Sequence, residues 1–461
     1  MDTSKRPLVG PVRSSFLASF SLVLAVAFWG AGPLQAQPNL NFQQRAVGGI
    51  SIRPDGTLDN ATKDDLGKLS QLRTKLLHDA PEKLRGAVAL RKISLKQIEA
   101  ALVTAHEAGK PVPDEVAFLG GLQSIRYVFV YPEQKDIVLV GPAEGWKVDA
   151  RGNVVGLTTG RPVMLLDDLV VALRTAEETA QTGITCSIDP SAEGLKKVRA
   201  YSAKLKTMGD RDTVTAGIEE ALGQQQVSFT GVAATSHFAA VLVAADYRMK
   251  RLAMNFDKSP VKGLPSFMQM LSGSGHGMSN MMQRWWLEPS YEAVHRDADG
   301  LAWEFSGGSV KCMTEEEYAG QDGQRTKRGK ANNLAQQWAD NMTKHYDELS
   351  VAEPIFGELR NCMDLALVGT LIVHDDLAGK AGCSMPLLML DTGMKTLELT
   401  APTQVDSRVS MLKKGRNWII SASGGVSIRP GEFLNKAVQN ADVAAARSKA
   451  VSATGNAMFW N

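Results

Sequence analysis

The densest grouping of side chains able to hold a metal is the stretch MQMLSGSGHGMSNMM, in which Met268, Met270, Met278, Met281 and Met282 surround His276. Soft thioethers beside an imidazole suit copper(I). Methionine is equally the flexible, polarizable filler of adaptable protein contacts. The spacing follows no fixed ligand pattern, so contact with an envelope protein partner is the first expectation for this stretch and a copper(I) site the second.

Other groupings are weaker. His374, Asp375 and Asp376 are hard ligands for a divalent metal, but three contiguous side chains do not converge on one centre, and a polar helix end is expected. Asp167 and Asp168 resemble paired carboxylates for acid and base work. They also open a helical pattern, where aspartate serves as a cap and is favoured by the helix dipole. Glu315, Glu316 and Glu317 after Thr314 are read in the same way. Cys186 or Cys312 could meet His237 or His295 as nucleophile and base. No G-x-S-x-G, P-loop or G-x-G-x-x-G occurs. Trp285 and Trp286, adjacent on a strand, would face opposite ways. With aromatics at 6% of the chain, core packing accounts for them better than a sugar-stacking platform. Asp246, Arg248 and Lys250 could form a buried polar network or a solvated last helical turn, and the second, the commoner, is expected. No catalytic or cofactor-binding residue is assigned on these grounds, and whether the protein is an enzyme stays open.

The elements that must position these residues alternate in character. Leu66, Leu69, Leu72, Leu76 and Leu77 have helical spacing, and a helix opened by Ser94 with Gln97 stops at Gly109. Ile125 to Tyr131 alternates as a strand, Pro132 turns, and Ile137 to Val140 returns. A hairpin follows around Asp149 to Gly152, then a helix from Asp167 to Ala180. The middle reads strand, helix, helix, strand, helix, from Ile184 to Arg251. Short strands run from Arg284 to Cys312, helices from Lys330 to Val373, and strands from Val405 to Ile428. The apolar run Leu365 to Val373 reads as a buried helix, too short to span a membrane. The fold class is therefore mixed α/β and α+β: N-terminal helices with strand hairpins, a central α/β segment, and C-terminal helices and strands. The stretches are 37–180, 181–275, 276–436 and an Ala-rich tail at 437–461. GGISIRPDGTL at Gly48 to Leu58 recurs as GGVSIRPGEFL at Gly424 to Leu434, with GWKVDARGNVV from Gly145 as a looser copy. It is read as a recurring hairpin edge.

Residues 1–36 carry the marks of a signal peptide: basic Lys5, Arg6 and Arg13, then the apolar run Phe16 to Trp29. Ala36 before Gln37 offers a cleavage point, although Leu34 departs from the usual small-residue pattern, so removal and a retained N-terminal anchor both stay open. Either way the expected location is extracytoplasmic, periplasmic or secreted. Removing Lys5, Arg6 and Arg13 together with Asp2 takes 51 basic and 49 acidic residues to 48 of each. That balance leaves no electrostatic footprint for nucleic acid, and no further membrane span is expected. The basic cluster Arg325, Lys327, Arg328 and Lys330 reads as a solvated loop. Cys186, Cys312, Cys362 and Cys383 lack zinc or redox spacing. A disulfide between Cys362 and Cys383 and four buried thiols are equally consistent with the sequence.

Several phrases form a set: RYVFVYPEQKDIVLVGPAEGWKVDARGNVVG, GRPVMLLDDLVVALR, ADYRMKRLAMNF, RWWLEPSYE and the two GG[IV]SIRP segments. Together, from about Ala46 to Lys436, they resemble a family of exported planctomycete-type proteins, domain of unknown function 1598. The resemblance implies one multi-part unit and no chemistry. Two function classes follow as expectations. The first is a non-catalytic binding or envelope-structural protein without a cofactor. The second is an extracytoplasmic hydrolase or copper-handling protein.

Overall fold

Ser94 caps its helix as expected, and Ser191, Ser236 and Ser266 do the same for theirs. Ser94, Ser191, Ser236 and Ser266 each accept a hydrogen bond from the backbone N–H three residues on, which satisfies a donor the helix start would otherwise leave open. Strand Ile184–Asp189 alternates buried and half-buried positions along its length, the period-2 pattern of a sheet with one wet face. Its polar side is laced to strand Gln224–Thr230 by hydroxyl pairs, Thr185 with Thr230 at 2.6 Å and Ser187 with Ser228 at 2.9 Å.

The computed structural model describes residues 46–461 apart from 48, 206–209, 275–281, 320–324, 328–331, 411, 415–416, 420 and 453–454. The leader at 1–36 and His276, Met278 and Met281 thus lie outside the described residues, as do Arg328 and Lys330. The architecture is mixed α and β. A ten-stranded mixed sheet runs in the order Ala46–Val47, Ile50–Ile52, Thr57–Asn60, Gln404–Asp406, Gln224–Thr230, Ile184–Asp189, Ser421–Ile428, Met282–Ser290, Ser309–Ala319, Arg325–Lys327. Strands from the stretches 37–180, 181–275 and 276–436 all contribute to it. Most neighbours are antiparallel, but Met282–Ser290 runs parallel to Ser421–Ile428. A seven-stranded sheet has the order Val438–Gln439, Ala293–Arg296, Ala302–Ser306, Tyr127–Tyr131, Asp136–Ala143, Val88–Ser94, Phe459–Trp460.

The apolar side of the larger sheet carries Ile184, Cys186, Ile188, Trp285, Leu287 and Val426, and helix His237–Ala253 packs on it. Trp285 is fully buried, edge-on to Phe267 and Trp338 with centroids 5.0 and 4.9 Å away. Its neighbour Trp286 faces the other way, under the Arg284 guanidinium, as strand alternation requires. Helix Pro354–His374 is buried for nearly its whole length and packs along helix Leu166–Thr182. Among the described residues no helix is long and apolar enough to cross a membrane. The smaller sheet is closed by the C-terminal strand. Arg91, wholly buried, donates to the carbonyls of Leu84, Gly86 and Gly120 and to the Asn461 side chain.

Several sequence expectations need correction. The disulfide between Cys362 and Cys383 is not formed, and all four cysteines are buried free thiols. Twelve residues of helix separate Cys362 from the helix end at His374, about 18 Å at 1.5 Å per residue, so proximity in sequence is not proximity in space. Glu315 belongs to strand Ser309–Ala319, opposite Arg284, and not to a helix start. Arg325 and Lys327 form a short strand where a loop was expected. The first copy of the GG[IV]SIRP echo is a hairpin, Ile50–Ile52 with Thr57–Asn60. The second is no edge: Ser421–Ile428 lies between two strands of the larger sheet, and Pro430 starts a helix in place of a return turn.

Candidate functional site

Three buried helices bring the site together. Helix Leu166–Thr182 begins with Asp167 and Asp168, helix His237–Ala253 begins with His237, and helix Pro354–His374 brings Glu358 and Asn361 from its second turn. Leu165, at the cap position of the first helix, makes no side-chain cap. Asp168 turns instead to the imidazole, with Nδ1 of His237 3.0 and 3.1 Å from its two carboxylate oxygens. Both side chains are shielded, at 8% and 6% exposure. Because Asp168 occupies Nδ1, the nitrogen left for the surroundings is Nε2.

His237 and Asp168 line a crevice of about 490 Å³ of space, its open mouth included. Arg73, Glu358 and Asn361 complete the polar lining; Leu77, Phe118, Val154, Val163 and Leu165 supply the apolar part. Arg73 comes from helix Lys63–Leu76 and is steadied by donating to the Gly152 carbonyl. Asn361 is 3% exposed, and its amide nitrogen donates to the Pro162 carbonyl at 3.1 Å. A carbonyl only accepts, so this bond fixes the amide orientation and leaves Oδ1 as an acceptor. That oxygen, Oε2 of Glu358 and Oδ1 of Asp167 are all shut from solvent without a hydrogen-bond partner in the protein. Buried polar atoms are nearly always paired, so these three unpaired oxygens single out the region as the candidate site.

The charges in this region are strongly coupled. Burial alone would lower the pKa of His237, but the charge and hydrogen bond of Asp168 outweigh it and push the imidazole up to about 9. Burial, helped by the neighbouring Asp168 charge, lifts Asp167 to about 7. Burial also raises Glu358, against the pull of His237 and Arg73. At neutral pH His237 is therefore an imidazolium, with a proton on Nε2 as well as on Nδ1. In an Asp168→Asn protein burial is opposed only by the weaker pull of Glu358 and Asp167, and His237 is expected to titrate well below about 9. Following the His237 ring proton by NMR checks this; a midpoint still near 9 would rule out Asp168 as the cause.

The same shifts set a pH profile. Stability from His237 is complete below its unfolded value near 6.5 and is lost as pH rises through about 9. Asp167 acts in the same direction: with its folded value at about 7, burial penalises ionisation increasingly from about pH 4 upward. In acid the sign reverses. Glu144, despite the upward push of burial, is held low by hydrogen bonds from Thr159 and Thr158; Asp257, also against burial, is held low by Arg251 and Arg248. Both lose that support on protonation. Thermal unfolding is expected to peak near about pH 5 and decline steadily toward pH 9. A midpoint flat between those values would contradict the assignment.

The chemistry foreseen from sequence is distributed differently. Met268 is buried in the core and Met270 packs against it, both on helix Phe267–Gly273, while Met282 starts strand Met282–Ser290. His237 meets Asp168 and not a cysteine. Cys186 has Asp246 and Lys250 as charged neighbours, Cys312 has Asp340, and His295 has Glu304 at 3.5 Å. Cys362 lies near Asp168 and Glu358, but burial and their charge push its thiol well above the usual range. His374 and Asp375 close a helix, and Asp376 caps the next. Among the described residues no three His, Cys, Asp or Glu gather as a metal centre.

Asp246 and Lys250 overturn the expectation of a solvated helix end. Asp246 is 0% and Lys250 8% exposed, with Nζ donating to Asp246 at 2.9 Å and to the carbonyls of Ile188 and Gly424. The sequence reading also missed Arg73, Glu358 and Asn361. The signal was present in PIFGELRNCMDLALVGTLIVH: charged and amide residues inside an otherwise apolar helix need a partner or a purpose.

Residues 186–267 match the model of a family described as a protein of unknown function, DUF1598. The matched segment is a domain of unknown function, and it contains His237, Asp246 and Lys250. No curated protein and no solved structure matches the chain.

Proposed function

We propose that this is an exported, non-catalytic binding protein of the cell envelope, whose crevice at His237 seats a small polar ligand. The observation that carries the reading is the pair of orphaned acceptors, Asn361 Oδ1 and Glu358 Oε2, in a crevice that also holds an imidazolium. Export is supported by the basic and apolar leader, and the planctomycete-type assignment by the phrases running from Ala46 to Lys436. The non-catalytic part is supported by the state of the imidazole, which Asp168 keeps protonated. An imidazole held at about 9 is moreover a poor base at neutral pH.

A second reading, hydrolysis by a water activated between His237 and Glu358, is favoured by the Asp168–His237 pair. It requires activity that rises on the alkaline side, as His237 loses its proton. The Met-rich stretch around His276 is proposed as the contact for an envelope partner, with copper(I) as its alternative occupant.

Protein-observed NMR of the full chain tests the binding reading. A panel of small neutral, anionic and cationic compounds is titrated against the His237 ring signals, and at least one class is expected to shift them saturably. If no class moves them, the crevice is not a binding site.

A further inference from the structure

We infer that helix Lys63–Leu76 is a movable lid over the His237 crevice, and that the firmness of its docking governs access; the inference rests on the binding reading above and supplies its gate. With the helix docked, the crevice is nearly shut. Its interior amounts to about 30 Å³, room for a water molecule or two, and Asn361 Oδ1 and Glu358 Oε2 are closed to solvent. Anything larger than water enters only if part of the wall gives way.

The wall is built unequally. The helices that carry Asp168, His237, Glu358 and Asn361 each bury more than half of their residues. Helix Lys63–Leu76 contributes Arg73 and its cap residue Leu77 to the lining, yet none of its fourteen residues is buried. Its polar docking is confined to one turn of chain. Ser70 Oγ donates to the Asp149 carbonyl at 2.6 Å, and Arg73 donates to the Gly152 carbonyl. Leu69 lies against Gly152, so close that a Cβ there would come within 2.7 Å of its Cγ. A segment with so little buried surface opens at lower cost than the core beneath it. The chain on either side supplies fixed pivots. Strand Thr57–Asn60 is paired in the larger sheet just before the helix, and just after it the His78 N–H is held by the Asp114 carboxylate at 2.6 Å. Thr62 and Leu77, at the two ends, are extended, and such element-terminal positions take up a hinge rotation. Swinging about them carries Arg73 and Leu77 out of the lining and uncovers the side chains of the other three helices. The attraction between Arg73 and Glu358 draws the lid back.

A thiol placed beneath the lid reads its opening. Val163 lines the crevice and is 3% exposed. The full-length Val163→Cys protein is treated with methyl methanethiosulfonate without denaturant, and the modified positions are located by peptide mass spectrometry. Cys186 and Cys312, buried in the main core, report global unfolding in the same sample. The thiol at 163 is expected to react at least about tenfold faster than either. Ser70→Ala removes one docking hydrogen bond without touching the lining, and should speed reaction at 163 about fivefold while Cys186 and Cys312 stay as slow as before. Arg73 is the wrong place for this test, because it lines the crevice and its truncation would widen the mouth with the helix still in place. Val154→Cys, at another lining position, repeats the measurement should Val163→Cys not fold.

A thiol at 163 that reacts no faster than Cys186 and Cys312 overturns the lid, since the crevice then opens only when the whole protein unfolds. A rate at 163 that Ser70→Ala leaves unchanged, or raises only in step with the two core cysteines, overturns it too. None of these results touches the binding reading, which stands or falls on the His237 titration described above.

Discussion

Gly424→Ala is expected to leave little folded protein, with a loss of more than about 4 kcal/mol. Gly424 sits at φ +118 in the strand Ser421–Ile428, and a Cβ placed there would lie 1.6 Å from the carbonyl oxygen of Trp285. The obstacle is backbone in a neighbouring strand, whose hydrogen bonds hold it in place, so it cannot turn aside as a side chain could. Gly425 is blocked on the other side, by the Cys186 carbonyl at 1.8 Å. The equivalent doublet in the N-terminal echo supplies the control. Gly49 also has positive φ, +86, but a Cβ there meets nothing within 4 Å. Gly49→Ala should therefore cost only the backbone strain, about 1–2 kcal/mol. Urea unfolding of the two variants checks the contrast; a Gly424→Ala protein as stable as Gly49→Ala would show that the strands can separate to admit a methyl group.

Lys250→Met is expected to destabilise the fold by about 3–5 kcal/mol, the usual cost of stripping one partner from a buried ion pair. Burial already lifts Asp246 to about 7 even with Lys250 beside it. Without the ammonium group, the carboxylate and the carbonyls of Ile188 and Gly424 lose a shared donor. The pair itself need not be favourable. In the double variant Asp246→Asn with Lys250→Met the buried charge is gone, and most of the loss should be recovered. Equilibrium denaturation of the three proteins decides it. A single variant within about 1 kcal/mol of the parent, or a double variant no better than the single, would mean that water reaches the pair.

Why the sequence revealed some of this and not the rest follows from distance along the chain. The helix from Leu95 and the strand from Tyr127 are set by a capping serine and by alternation within a few residues, which a local pattern displays. Asp168 and His237 are 69 residues apart, and the Arg73 bond spans 79; no periodicity links them. Asp246 and Lys250 stand four apart, so their pairing was legible, but their burial depends on strands Ile184–Asp189 and Ser421–Ile428 closing over them. The two GG[IV]SIRP copies look alike in sequence, yet one is a hairpin and the other an interior strand. The surroundings, not the motif, make the difference.

The placement of the late strands also bears on the order in which the molecule can assemble. The larger sheet joins residues near 50 to residues near 405, and strand Ser421–Ile428 fills its middle. The smaller sheet waits for Phe459–Trp460, and Arg91 for Asn461. Neither sheet can be completed on a nascent chain until the strand Ser421–Ile428, for the larger, and Phe459–Trp460, for the smaller, have been synthesised. Completion of each sheet is consequently deferred until those strands emerge, and the intervening species present unpaired strand edges that a chaperone would have to shield.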